Sequence, residues 1–307
     1  MSKIDFNFIS KSSIIVLLWS TPPLVSKLWV GTKEAFPGLF FGFLRYSFGF
    51  TALIFIILFH QGNFNSLKVI LRKQPKTIIF CAMWLVLMII GQNFSVSFIL
   101  GSSSSVLLNF NPCIIYLFAP ILFTDESYTK NKTIGFIISS IGILIVFLAS
   151  LEATSLFNFF IGNFLGFLSG IAWAGYSLTL KLYFQEKGSE EVTALNLLSA
   201  AFILFLLSLV MEHHPPVESF TLESIWGLII IGFGAAAIAF TLYLQLVQKY
   251  GSIKAGNIQF LIPLVSLLIA WILLGEYSFL TLIGGIFCAV GVALVNYGFN
   301  NESKNTL

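Results

Sequence analysis

The chain has 307 residues, of which 57% are hydrophobic and 9% are charged, and its mean hydropathy is +0.94. Soluble domains carry about 25% charged residues, so a water-soluble globule is excluded and a polytopic membrane protein is predicted. The formal net charge of +3 is scattered and forms no basic run, which argues against nucleic acid as a partner.

Ten apolar runs approach the roughly 20 residues that a membrane-spanning helix needs. They cover residues 12–30, 38–59, 77–98, 103–123, 134–151, 161–181, 192–211, 225–245, 253–274 and 279–298. Short polar connections separate these runs, and none is long enough for a soluble domain. The predicted fold class is therefore an all-α polytopic membrane protein with ten transmembrane helices.

The positive charges predict the orientation, because cytoplasmic loops collect lysine and arginine. With the N-terminus inside, the outside loops hold only Lys33 of the 16 positive residues. Lys27 and Arg45 lie within apolar runs, and all the others fall on the inside. Both termini are therefore predicted to be cytoplasmic.

Residues 103–142 and 252–291 form an internal repeat, which is a primary sign of fold architecture. Each copy passes from small polar residues through a proline to an acidic stop and a pair of glycines. The matching residues are Pro112, Glu126, Gly135 and Gly142 in the first copy and Pro263, Glu276, Gly284 and Gly291 in the second. Five helices per half is an odd number, so the halves are predicted to be inverted, an arrangement found in secondary transporters.

The first helices of the two halves also match, since Trp19 is followed eight positions later by Lys27, and Trp173 eight positions later by Lys181. Together with Pro37, Arg45 and the repeat, this pattern resembles the EamA-type transporters of the drug/metabolite transporter superfamily over about residues 12–299. The resemblance implies two EamA-like repeats, at 12–151 and 161–298, around a central cavity. It also implies alternating-access transport of amino acids or other small metabolites. The seventh run departs from the pattern, because it has no arginine that matches Arg45.

Arg45 is the most informative ionisable residue. It is predicted to lie roughly 10 Å inside the membrane, where a charge costs about 2.5–3.5 kcal/mol on insertion scales. Such a residue faces a protein interior or a water-filled cavity, or it extends to the interface, here beside Tyr46. We favour the cavity.

The candidate substrate-binding residues combine these cations with aromatic and amide side chains. They are Trp19, Lys27, Arg45, Asn93, Asn109, Trp173, Tyr176, Asn257 and Gln259. Packing by the tryptophans and helix-to-helix hydrogen bonding by the amides remain alternatives. The predicted helix bends are at Pro22, Pro23, Pro112 and Pro263.

Other ionisable groups are predicted to be peripheral. Lys181 is expected to be a charged anchor at the inner rim, and Glu126 and Glu276 to end their helices at the membrane interface. No acidic residue lies in the middle of an apolar run, so no carboxylate relay is predicted. Cys81, Cys113 and Cys288 stand singly in apolar runs and predict neither disulfides nor a metal site.

The sequence therefore predicts a secondary transporter in a bacterial cell inner membrane, with no enzymatic activity and no cofactor. Its predicted partners are a small-molecule substrate and the lipid bilayer, and a homodimer is left open. We favour an amino acid or related carboxylate-bearing substrate and efflux. Uptake of a nucleoside-like or vitamin-like metabolite, a lipid-headgroup flippase and a non-transporting scaffold remain alternatives.

Overall fold

A computed structural model describes residues 5–22, 25, 36–95, 97–99, 104, 107–148, 156–213, 219–274 and 279–302. Every regular element in this part of the chain is a helix, which confirms the predicted all-α class.

The helices are numbered here in chain order. They are α1 (Phe6–Trp19), α2 (Gly38–Gln61), α3 (Asn65–Lys73), α4 (Pro75–Ser95), α5 (Asn111–Leu122), α6 (Lys130–Leu148), α7 (Leu156–Phe184), α8 (Ser189–Met211), α9 (Leu222–Ile229), α10 (Ala239–Tyr250), α11 (Ser252–Asn257), α12 (Ile262–Leu274) and α13 (Phe279–Glu302). A π-helix, Ile230–Ile238, joins α9 to α10, and a 3-10 turn, Ile258–Leu261, joins α11 to α12.

Five helical stretches in the described residues are long and apolar enough to cross a membrane. They are Gly38–Gln61, Pro75–Ser95, Phe157–Phe184, Ser189–Met211 and Leu222–Tyr250. Phe6–Trp19, Asn111–Leu122 and Leu282–Val295 are shorter apolar helices. The short helix α3 falls in a connection where no helix was predicted, and it carries Arg72 and Lys73 in its last turn.

Glycines allow α6 and α13 to approach closely along their length. A Cβ atom at Gly135 would lie 2.6 Å from the carbonyl oxygen of Gly291, and one at Gly142 would lie 2.5 Å from that of Gly284. Two further helix pairs, α2 with α8 and α4 with α7, make the other extensive contacts. The first glycine of each copy of the repeat therefore contacts the second glycine of the other copy.

Pro112 is the second residue of α5, where proline is well suited because the amide hydrogens of the first turn have no partner within the helix. Pro263 lies inside a continuous helical stretch from Ser252 to Leu274, directly after the 3-10 turn that separates α11 from α12. Helix α1 ends at Trp19, ahead of Pro22, and the hydroxyl of Ser20 donates to the carbonyl oxygen of Val16 at 2.7 Å. Pro23 lies outside the described residues.

Candidate functional site

A small cavity lies among helices from both halves of the chain. It is lined by Trp19, Pro22, Arg45, Met88, Gln92, Leu108, Asn109, Trp173, Phe240, Gln259 and Ile262. Its volume, measured by the centre of a water-sized sphere, is about 40 Å³. Since one ordered water needs roughly 10–15 Å³ by that measure, the cavity has room for a few waters and is smaller than a metabolite.

Arg45 brings an unpaired charge to this cavity. The residue is on α2 with only 5% of its surface exposed, and its Nε atom has no hydrogen-bond partner. No ion pair joins it to a carboxylate in the described part of the chain. The ring centroid of the adjacent Tyr46 lies 5.8 Å from the guanidinium carbon. Because a buried charge is stabilised only when it is paired, the guanidinium is suited to an anionic group in the cavity.

Two tryptophans form the aromatic wall of the cavity. Trp19 on α1 and Trp173 on α7 meet edge to face, and Phe240 packs 5.1 Å from Trp173 between ring centroids. The indole Nε1 of Trp19 donates to the carbonyl oxygen of Ala235 at 3.0 Å, within the π-helix. The Nε1 atom of Trp173 has no partner, so one indole donor remains for a ligand.

Amide side chains line the remaining wall and extend into a hydrogen-bonded layer. Gln92 on α4 leaves its Oε1 atom without a partner. Gln259 accepts from Asn111 Nδ2 at 3.0 Å and donates to the hydroxyl of Tyr243 at 3.4 Å. The Tyr243 hydroxyl is also 2.6 Å from Ser177 Oγ. Gln259 therefore joins the cavity to a packed polar layer between α7, α10 and the 3-10 turn.

The structure brings together five of the candidate binding residues, Trp19, Arg45, Asn109, Trp173 and Gln259. Three others lie elsewhere. Asn93 donates to the carbonyl oxygen of Gly38 at 2.7 Å and Asn257 to that of Val292 at 3.2 Å. Tyr176 packs behind Trp173 at 5.3 Å and accepts from Asn196. Lys27 lies outside the described residues.

Five cavity residues were absent from the predicted set, namely Met88, Gln92, Leu108, Phe240 and Ile262. Gln92 could have been found, because an amide within an apolar run needs a hydrogen-bond partner. It differs from the predicted residue Asn93 only in the direction that it faces from the helix. The other four are ordinary apolar residues, and nothing in the sequence distinguishes them from the membrane-facing ones.

Lys181 lies in the last turn of α7 and Glu126 follows the end of α5, as predicted, but their side chains are buried against each other. Lys181 Nζ lies 2.8 Å from Glu126 Oε1, and each side chain is only 2% exposed. The same lysine lies 2.7 Å from Asp125 Oδ2. The loop after α5 folds inward and places the Glu126 carboxylate against the start of α11.

A second carboxylate caps the helix that carries Arg45. Glu212, which follows α8, accepts from the backbone nitrogens of Leu39 at 2.7 Å and Phe40 at 2.9 Å. A negative charge is favourable at a helix start. Partial burial nevertheless raises the pKa of Glu212, although these two N–H donors act in the opposite direction.

Comparison with known proteins connects this geometry to a family, because residues 160–297 match the EamA-like transporter family. The chain carries an EamA-like transporter domain. The resemblance predicted from the sequence is thereby confirmed. The domain match covers α7 to α13 and so includes Trp173, Phe240 and Gln259.

Bacterial relatives of this EamA-like chain are similar over most of its length. "Uncharacterized transporter YoaV" of Bacillus subtilis is 22% identical over 94% of the chain and 96% of the relative. An "Uncharacterized transporter" of Clostridium kluyveri is 22% identical over 69% of the chain and 68% of the relative. One crystal structure of a protein shares the fold, with a TM-score of 0.76, 17% identity and coverage of 94% of this chain and 97% of the other.

These matches are to transporters and not to enzymes. The EamA-like chain is accordingly a multi-pass membrane protein of a transporter family, whose environment is lipid and whose partner is a small molecule.

Proposed function

We propose that the protein is a secondary transporter for a small organic metabolite that bears a carboxylate, such as an amino acid or a related compound. It would work by alternating access in a bacterial inner membrane, with export as the proposed direction. The observation that carries this proposal is the buried guanidinium of Arg45, which lines the cavity and pairs with no carboxylate among the described residues. A scaffold protein would have no use for such a costly group.

The cavity composition supports a substrate with one anionic group and an apolar body. Arg45 offers charged donors, Trp173 one free N–H and Gln92 one free carbonyl oxygen. Trp19, Phe240 and Ile262 supply apolar surface. Binding sites for small molecules commonly combine an apolar wall with a few such polar groups.

The proposed architecture has ten membrane-spanning helices in two inverted repeats, 12–151 and 161–298, with both termini in the cytoplasm. The crosswise glycine contacts support it, because exchanging the two copies of the repeat converts the pair Gly135–Gly291 into Gly284–Gly142. Trp19 and Trp173, which occupy matching positions, likewise meet at the cavity. In transporters with inverted repeats the substrate lies between the repeats near the membrane midplane.

Counterflow into proteoliposomes tests the proposal with pairs of amino acids and their carboxamides. The wild-type protein should transport the acids in preference to the amides. Arg45→Gln should reduce counterflow of the acids at least about tenfold, since a hydrogen bond to a charged group contributes about 1.5–3 kcal/mol. Arg72→Gln is the matched control, because Arg72 is an exposed arginine of α3 outside the cavity. Unchanged transport of every anionic and zwitterionic substrate by Arg45→Gln would contradict the proposal.

The direction of transport needs a separate measurement. Everted vesicles have their cytoplasmic face outside, so an exporter should accumulate added substrate in the vesicle lumen. Accumulation that requires an imposed proton gradient would show that protons drive transport. No accumulation in everted vesicles, together with accumulation in right-side-out vesicles, would refute export while leaving the substrate class intact.

A further inference from the structure

The ionic cluster around Lys181 joins three separate elements. Lys181 lies on α7, while Asp125 and Glu126 follow α5. The Oε1 atom of Glu126 also accepts from the backbone nitrogen of Ser252 at 2.6 Å, from Ser252 Oγ at 2.8 Å and from the backbone nitrogen of Ile253 at 3.3 Å. One carboxylate therefore pairs with a lysine and caps the start of α11.

The cluster lies at one end of the polar layer that begins at the cavity. Ser177 is one turn before Lys181 on α7, and it bonds to Tyr243, which in turn bonds to the cavity residue Gln259. Ser177, Tyr243 and Ser252 each have 0% of their surface exposed. The space between the cavity and the cluster is thus filled by protein. The cluster connects α7, α11 and the loop after α5 at the end of the polar layer that is farther from the cavity.

We propose that Lys181, Glu126 and the first turn of α11 form a latch that keeps the path from the cavity to this end of the molecule closed. The latch opens when the transporter converts to its opposite-facing state. This inference rests on the proposed alternating-access function. In the proposed topology α5 belongs to the first half and α7 and α11 to the second. Relative movement of the halves must therefore break these contacts.

The chemistry of the latch fits a contact that is made and broken. A buried ion pair adds little net stability compared with apolar packing, but leaving one partner buried alone is costly. Asp125, whose side chain is 64% exposed, bonds to the same lysine at 2.7 Å. Because Asp125 directly precedes Glu126 in the chain, both carboxylates leave Lys181 together when the halves move apart. The open state must therefore expose Lys181 to water, so that the ammonium is not left buried without a partner.

Cysteine accessibility tests the latch without any substrate. Ser177→Cys is placed in a chain whose buried cysteines, Cys81, Cys113 and Cys288, are replaced by alanine. A membrane-impermeant maleimide is then added from each side of sealed vesicles. Glu126→Gln and Lys181→Met should each raise the labelling rate about tenfold, and from one side only, because each removes a charge-assisted hydrogen bond. Ser252→Ala removes one neutral donor and should give a smaller increase.

Glu212→Gln is the matched control, since Glu212 also caps a helix start but makes no ion pair with a described lysine. Its labelling rate should equal that of the parent. The latch is refuted if labelling stays unchanged in Glu126→Gln, Lys181→Met and Ser252→Ala, or if Glu212→Gln raises it equally. If Glu126→Gln and Lys181→Met fail to fold, Ser252→Ala decides between these outcomes. If the protein fails to exchange carboxylate substrates in counterflow but the latch variants still show increased labelling from one side, the substrate proposal is refuted and the latch is retained.

Discussion

The indole rings of Trp19 and Trp173 meet edge to face, with centroids 5.0 Å apart and an interplanar angle of 87°. They occupy matching positions of the two predicted repeats, yet their polar atoms differ. Trp19 donates its N–H to the carbonyl oxygen of Ala235, whereas the N–H of Trp173 has no partner. The same residue type thus has a structural bond in one half and a free donor in the other.

This difference predicts that replacing tryptophan by phenylalanine affects stability at Trp19 and substrate binding at Trp173. Trp19→Phe should lower the melting temperature, because it leaves a buried carbonyl unpaired at a cost of about 1–3 kcal/mol. Trp173→Phe should leave the melting temperature nearly unchanged and weaken substrate binding. Thermal unfolding in detergent and counterflow with the same preparations check both expectations. Equal destabilisation by the two variants would contradict the assignment.

A double-mutant cycle should show strong coupling between Lys181 and Glu126. Removing either partner alone, in Lys181→Met or Glu126→Gln, should destabilise the protein. Lys181→Met leaves the Glu126 carboxylate buried without its cation, a loss of about 3–5 kcal/mol in well-buried pairs. Glu126→Gln should cost less, because Lys181 remains paired with Asp125. The double variant should lose less than the sum of the single losses. Additive losses in chemical unfolding would show that the two side chains act independently.

The close contact of α6 with α13 makes Gly135 sensitive to any side chain. Gly135→Ala should destabilise the protein by about 1–3 kcal/mol, because the new Cβ atom would meet the backbone of Gly291. Gly256→Ala is the control, since the nearest atom there is the end of the flexible Ile115 side chain, at 3.0 Å. Thermal unfolding of the two variants should separate them, and similar melting temperatures would contradict the expected backbone clash.

Glu212 should make a pH-dependent contribution to stability. Its pKa is raised from 4.5 in the folded protein, chiefly by partial burial. A group with a raised folded pKa stabilises the fold below its unfolded pKa, and that contribution is lost as pH rises through the folded value. The melting temperature of the wild type minus that of Glu212→Gln should therefore fall as pH is raised above 4.5. If the difference in melting temperature instead increases with pH, the two backbone donors outweigh burial and lower the pKa of Glu212.

Local patterns were sufficient to predict the fold class and the similarity to EamA-like transporters. Long apolar runs permit only helices in lipid, because every backbone polar group must be paired within its own segment. The repeat singled out Gly135 and Gly142, and the structure places both in close contacts between helices, since glycine at helical intervals lets helices approach. Arg45 could be selected because a charge within an apolar run is costly wherever it lies.

The side that each polar residue faces was decided only by the tertiary structure. Gln92 and Asn93 are adjacent amides in one apolar helix, and the helix rotation places the first at the cavity and the second against Gly38. Sequence by itself determined that the chain is helical, membrane-embedded and related to EamA transporters. Packing decided that Lys181 and Glu126, which look like interface residues, form a buried pair, because their contact depends on how three distant helix ends fold together.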